Sequence, residues 1–231
     1  AARAATAYGY AQLGRNEDAR AHYEQSLAIA ERRGLHWISL VALHNLGAIA
    51  RHQGELERAV RLQHEASSLA RGISQQVIAF MTRFHQSLAL VDLERLAEAK
   101  AILEPLVEKA PAGPRAVGLL ALARAVLKEG QAERALELIE RAMREVDEGL
   151  VEEYTGEIRN TWTRALLALG RAEDARRAAE QARDALLARA DRIVTAEARA
   201  SFLQNVPENA DTLRIAKELL GDDQAAASAV P

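Results

Sequence analysis

Apolar and small residues recur three and four positions apart along the chain, as at Ala135, Leu138, Ile139 and Ala142. That is the period of an α-helix with one buried face. A returning phrase breaks the rhythm. LGRNEDARAHYE at 13–24 comes back as LGRAEDARRAAE at 169–180, and related versions start at Gln53, Leu93 and Glu129. The alanine inside the phrase falls at Ala19, Ala59, Ala99, Ala135 and Ala175, giving spacings of 40, 40, 36 and 40 residues. A period in this range marks stacked units that bury their faces against one another.

Each phrase reads as a joint between two antiparallel helices. Gly14, Gly54, Gly130 or Gly170 supplies a left-handed C-cap, and acidic residues open the next helix at its N-terminal dipole. The third copy has Glu94 in the glycine position, so its turn is expected to differ locally. Pro105 lies inside the helix that follows and should kink it.

Leu43, Leu46, Gly47 and Ala50, followed by Ala59 and Ala66, resemble the two-helix signature of the tetratricopeptide repeats. Ala7, Tyr10, Ala19 and Tyr23 match in the first unit, and Leu119, Leu122, Ala123, Val126, Ala135, Ile139 and Ala142 in the fourth. The resemblance implies an all-α, right-handed superhelical solenoid of about five helix pairs. The units are placed at about 1–34, 35–73, 74–111, 112–147 and 148–194. Residues 195–221 read as capping helices, with Thr195 as N-cap, Pro207 in a first turn and Gly221 as a stop, and 222–231 as a disordered tail. Repeats this long, and the closing segment SFLQNVPEN, resemble the arrays attached to bacterial multidomain regulators: signal-transduction NTPases, maltose-regulator-type activators and protein kinases. The chain starts already in helical rhythm, which reads as part of a longer protein.

Net charge narrows the partners. Thirty basic and 33 acidic residues leave a formal charge of −3, without the basic surplus that draws a chain to nucleic acid. With no cysteine there is no thiolate metal site or cysteine nucleophile, and a reducing, cytoplasmic setting is expected. No apolar run approaches the roughly 20 residues of a membrane span. The histidines do not pair along a helix: His36, His44 and His52 are eight apart, about 80° per step, whereas a helical zinc pair needs a spacing of three or four. No phosphate loop, nucleophile elbow or HExxH is present. The expectation is a non-enzymatic chain without metal or cofactor.

The third unit departs from its neighbours. Arg83, Gln86 and Ser87 stand at signature positions, polar where the neighbouring units offer leucine, while Val77, Met81, Phe84, Leu88 and Val91 form their own apolar stripe. In the register set by Ala99, that stripe points into the concave groove and would seat a partner helix or extended peptide. Phe84→Asp would then abolish binding and spare the fold. If the helix is rotated, the stripe is core. The same register puts His44, Arg51, His52, Arg124, Lys128, Asn160 and Arg164 in the groove as polar contacts. Trp162 is expected in the core, and Trp37 in core or groove. The resulting expectation is a protein or peptide interaction scaffold within a signalling protein. A small-ligand or pheromone sensor controlling an attached ATPase or kinase, and a self-association module, are the alternatives.

Overall fold

The computed structural model describes residues 2–151 and 153–221. The tail at 222–231, expected to be disordered, lies outside them. Twelve helices and no strand occur among the described residues. They form five antiparallel pairs: α1 (Ala2–Gln12) with α2 (Asn16–Arg32), α3 (His36–His52) with α4 (Leu56–Gly72), α5 (Gln76–Asp92) with α6 (Leu96–Val107), α7 (Pro114–Lys128) with α8 (Ala132–Asp147), and α9 (Thr155–Ala168) with α10 (Ala172–Ala190). A sixth pair, α11 (Ala196–Asn205) and α12 (Pro207–Leu220), closes the stack, with α12 packed on α9 and α10.

The joints share one geometry. Gly14, Gly54, Gly130 and Gly170 all have φ between 70° and 79°. The amide after each reaches back five residues, as in Glu55 N–H to the Ala50 carbonyl at 2.8 Å. The alanines of the repeated phrase, Ala19, Ala59, Ala99, Ala135 and Ala175, are buried to 0–1 % where the paired helices meet.

The third joint corrects the sequence expectation. Glu94 takes φ 62°, and Arg95 N–H still reaches the Leu90 carbonyl at 2.9 Å. Its turn is therefore the same as the others, built with a residue poorly suited to it. A side chain held in the left-handed region costs about 1–2 kcal/mol. Glu94→Gly should raise stability by about 0.5–1 kcal/mol after glycine's greater freedom in the unfolded chain is set against that relief. Its exposed bridge to Lys128 offers little to lose. A melting curve shifted downward by the substitution would contradict this account.

The centre of the stack is its best-packed part. Helix α6 has 12 residues, against 16 or more in α2, α4, α8 and α10, and Pro105 lies just before its end. The loop after it is pinned to α8 by Glu145, which accepts from Gly113 N–H at 2.8 Å and from Arg115 Nε at 2.5 Å. Shortening α6 brings α7 directly onto α5. Gly118 of α7 makes this contact close: a Cβ there would sit 2.8 Å from the Phe84 ring and 3.0 Å from Val107.

Helix α5 is consequently buried on almost every side over its second half. Phe84, Leu88 and Val91 are 0 % exposed and belong to the main core. Their placement in the groove is corrected: α7 covers the stripe. Met81 is half-buried against the same core, and only Val77, at 53 %, stays outside. Of the polar signature positions, Gln86 and Ser87 are buried and Arg83 is half-buried, and the buried hydroxyls of this helix are satisfied locally. Ser87 donates to the Arg83 carbonyl at 2.9 Å and Thr82 to that of Ala79 at 3.1 Å.

Candidate functional site

The odd-numbered helices α3 to α9 face a common interior, where charged side chains meet across four repeats. Arg51 at the end of α3 donates through Nε to Asp92 of α5 at 2.6 Å and grips Glu157 of α9 with both terminal nitrogens at 2.9 and 2.8 Å. Arg124 of α7 donates to the same two carboxylates, at 2.6 Å to Asp92 and 2.7 Å to Glu157. Two cations and two anions thus form a closed ring. Arg51 and Glu157 are each 11 % exposed in their side chains. Burial alone would raise the Glu157 carboxyl, but Arg51 and Arg124 hold it well below the usual carboxylate range.

The C-terminal helix fills the next stretch of the interior. Asn160 donates to the Glu208 carbonyl at 3.0 Å and accepts from Thr212 Oγ1 at 2.9 Å. Arg164 donates to both oxygens of Asp211 at 2.6–2.7 Å. The first and last parts of the chain then meet along a seam. Ser201 Oγ donates to the Leu13 carbonyl at 2.6 Å, and Tyr8 Oη donates to Glu153 at 2.6 Å. Leu13 packs against the cluster of Phe202 and Val206. At Gly14 a Cβ would lie 2.8 Å from the Asn205 backbone.

This closure turns the groove into a chamber of about 100 Å³, lined among others by Tyr8, His44, His52, His85, Glu153 and Glu208. The rings of His44 and His85 stack at 4.5 Å, and Tyr154 tilts against His85 at 5.1 Å. Burial lowers the pKa of His44, His52 and His85, most for His85, and keeps the imidazoles neutral. It raises the Tyr154 hydroxyl well above its ordinary value. Burial, with Glu157 nearby, pushes the Glu208 carboxyl up to about 7. Tyr154 also has φ 65°, a conformation costly for a residue with a side chain.

The interior therefore gathers His44, Arg51, His52, Arg124, Asn160 and Arg164, but most already have partners within the chain. His44 Nδ1 meets Gln63 Oε1 at 3.1 Å, and Gln63 returns a bond to the His44 carbonyl. Lys128 is exposed and reaches Glu94 at 3.0 Å. Trp162 is half-buried against the main core, and Trp37 is 50 % exposed. Sequence reasoning named the arginines and missed their partners Asp92, Glu157 and Asp211, as well as Glu208 beside them. None of those acids stands in a motif. Their only sequence signal is an acidic residue on a first helix or at the start of the cap.

A model of the tetratricopeptide repeat-like domain family matches residues 48–200, and a tetratricopeptide repeat model matches residues 2–72. No curated protein matches the chain. Among solved structures it resembles the nearly identical TPR-like repeats of a Podosopora anserina protein described as a kinesin light chain, at 24 % identity and a TM-score of 0.55, covering 83 % of this chain and 96 % of that one. A point variant of those repeats gives 24 % identity and 0.56, covering 79 % and 92 %. These likenesses concern the fold.

Proposed function

We propose that this chain, which belongs to the tetratricopeptide repeat-like domain family, is a non-catalytic interaction module that takes a protein partner on the edge formed by its inter-repeat turns. Folds of this kind are generally protein-interaction scaffolds. The supporting observation is where large apolar side chains remain exposed. Leu35, Trp37, Val77 and Leu150 are 41–53 % exposed and all lie at the turns leading from one repeat into the next. Trp37 and Val77 hold equivalent places in the first turns of α3 and α5, so they stand on neighbouring repeats along the same edge. An exposed tryptophan among aliphatic neighbours is the usual composition of a binding hot spot.

The interior is the weaker candidate for a partner segment, because its arginines are paired and α12 occupies it. Trp37→Asp should remove a partner captured by the wild-type chain and change stability, read from thermal melting, by no more than about 0.5 kcal/mol, the small range of surface substitutions. Capture that survives the substitution would rule out this edge. A role within a larger bacterial signalling protein is part of the proposal, supported by the resemblance of the long repeats and closing segment to such regulators. A second reading, sensing of a small ligand, is favoured by the interior chamber and the histidines and carboxylates that line it.

A further inference from the structure

Three metal-ligating side chains converge in the interior from distant parts of the chain. His52 ends α3, Glu157 opens α9 and Glu208 opens α12. One donor atom from each lies within 4.8 Å of the others. A zinc ion bound at about 2.1 Å sets tetrahedral donors about 3.4 Å apart, so a modest inward rotation of the carboxylates completes the geometry.

Polar groups around this cluster lack partners. Glu208 Oε2 is buried without a hydrogen bond, and so are both ring nitrogens of His85. His85 is 4 % exposed, lines the same chamber as His52 and Glu208, and is within electrostatic reach of His52 and Glu157. Buried polar atoms left unsatisfied are uncommon and call for a ligand, an ion or a water. A neutral imidazole is the form that coordinates a metal.

The arginines around Glu157 do not preclude coordination. Each carboxylate oxygen has more than one lone pair, and metal-bound carboxylates are ordinarily hydrogen-bonded from behind. Arg51 and Arg124 are matched in charge by Asp92 and Glu157, so the negative charge left for a cation is that of Glu208, which gives up its proton as the ion binds. A mixed imidazole and carboxylate set favours zinc-like ions over calcium or magnesium, which prefer all-oxygen sites.

We propose that the interior binds one divalent transition metal of the zinc class through His52, Glu157 and Glu208, beside the chamber that His85 also lines. Such an ion would fasten the C-terminal helix to the second and fifth repeats.

The test uses the whole chain freed of metal with a chelator. Calorimetric titration with zinc chloride should give one site per chain. Cobalt chloride should develop the visible d–d absorption of a low-coordinate site, and zinc should raise the melting temperature and slow amide exchange in α12. Glu208→Gln, which keeps the side-chain volume, and His52→Ala should each weaken binding at least about tenfold. His36→Ala, an exposed histidine outside the chamber, should not change it. Circular dichroism establishes that each variant is folded, and Glu208→Gln carries the test if His52→Ala is not. The proposal is overturned by the absence of one-to-one binding, by tighter binding of magnesium or calcium, or by zinc affinity that survives Glu208→Gln.

Discussion

Phe84→Asp is expected to unfold the middle of the protein, with loss of the cooperative melting transition, and Phe84→Ala to lower stability by about 3–5 kcal/mol. The ring is fully buried, touches the space left free by Gly118, and belongs to the core formed by α5 to α10. Truncation leaves a cavity that neighbouring α7 cannot fill, because its nearest residue there is the glycine. An aspartate adds an ionised group with no cation beside it, a burden several times larger than the cavity alone. Far-UV circular dichroism against temperature measures both. A Phe84→Asp chain that melts like the wild type would return the stripe to the groove.

The second large effect belongs to the charged ring. Glu157→Ala removes the one carboxylate that both arginines share across the fifth repeat and leaves Asp92 facing Arg51 and Arg124 alone. Breaking a buried pair from one side costs about 3–5 kcal/mol. The lower end applies here, since Asp92 remains. Cooperativity should change as well. In most solenoids a repeat touches only its neighbours, but Arg51 and Glu157 join the second repeat to the fifth, 106 residues apart. Without Glu157 the single calorimetric transition should separate into an early one for the N-terminal repeats and a later one for the centre, where most of the buried core lies. Removing an exposed pair such as Arg58 and Glu24 should cost less than about 1 kcal/mol. A single, unshifted transition in Glu157→Ala would show that the ring contributes nothing to coupling.

What could be read from the sequence was what is encoded locally. A joint needs a residue that tolerates positive φ, a small residue where helices cross and acids in the next first turn, all within about a dozen positions, so the repeats were visible. Glu94 misled in the opposite direction: the helices on either side impose the turn, and the residue bears the strain. The fate of Phe84 depended on how far α7 slides onto α5. The 36-residue spacing and Pro105 marked that irregularity without giving its direction. For Arg51, Arg124, Asn160 and Arg164, placement toward the interior followed from the register, but whether they were available did not. Their partners lie 32 to 106 residues away, on other repeats or on α12. The same holds for His52. Along its own helix it has no metal-ligand companion, and only the fold brings Glu157 and Glu208 to it.

A helix-pair stack is ordinarily a spring, able to change pitch by small adjustments between neighbours. This one has its coil fastened. Where Ser201 holds the Leu13 carbonyl, Tyr8 holds Glu153 and Gly14 lies against Asn205, any lengthening of the superhelix must first break those contacts. The protein should therefore respond to a pull as a clasp, rigid up to a threshold force and compliant only after the seam gives way.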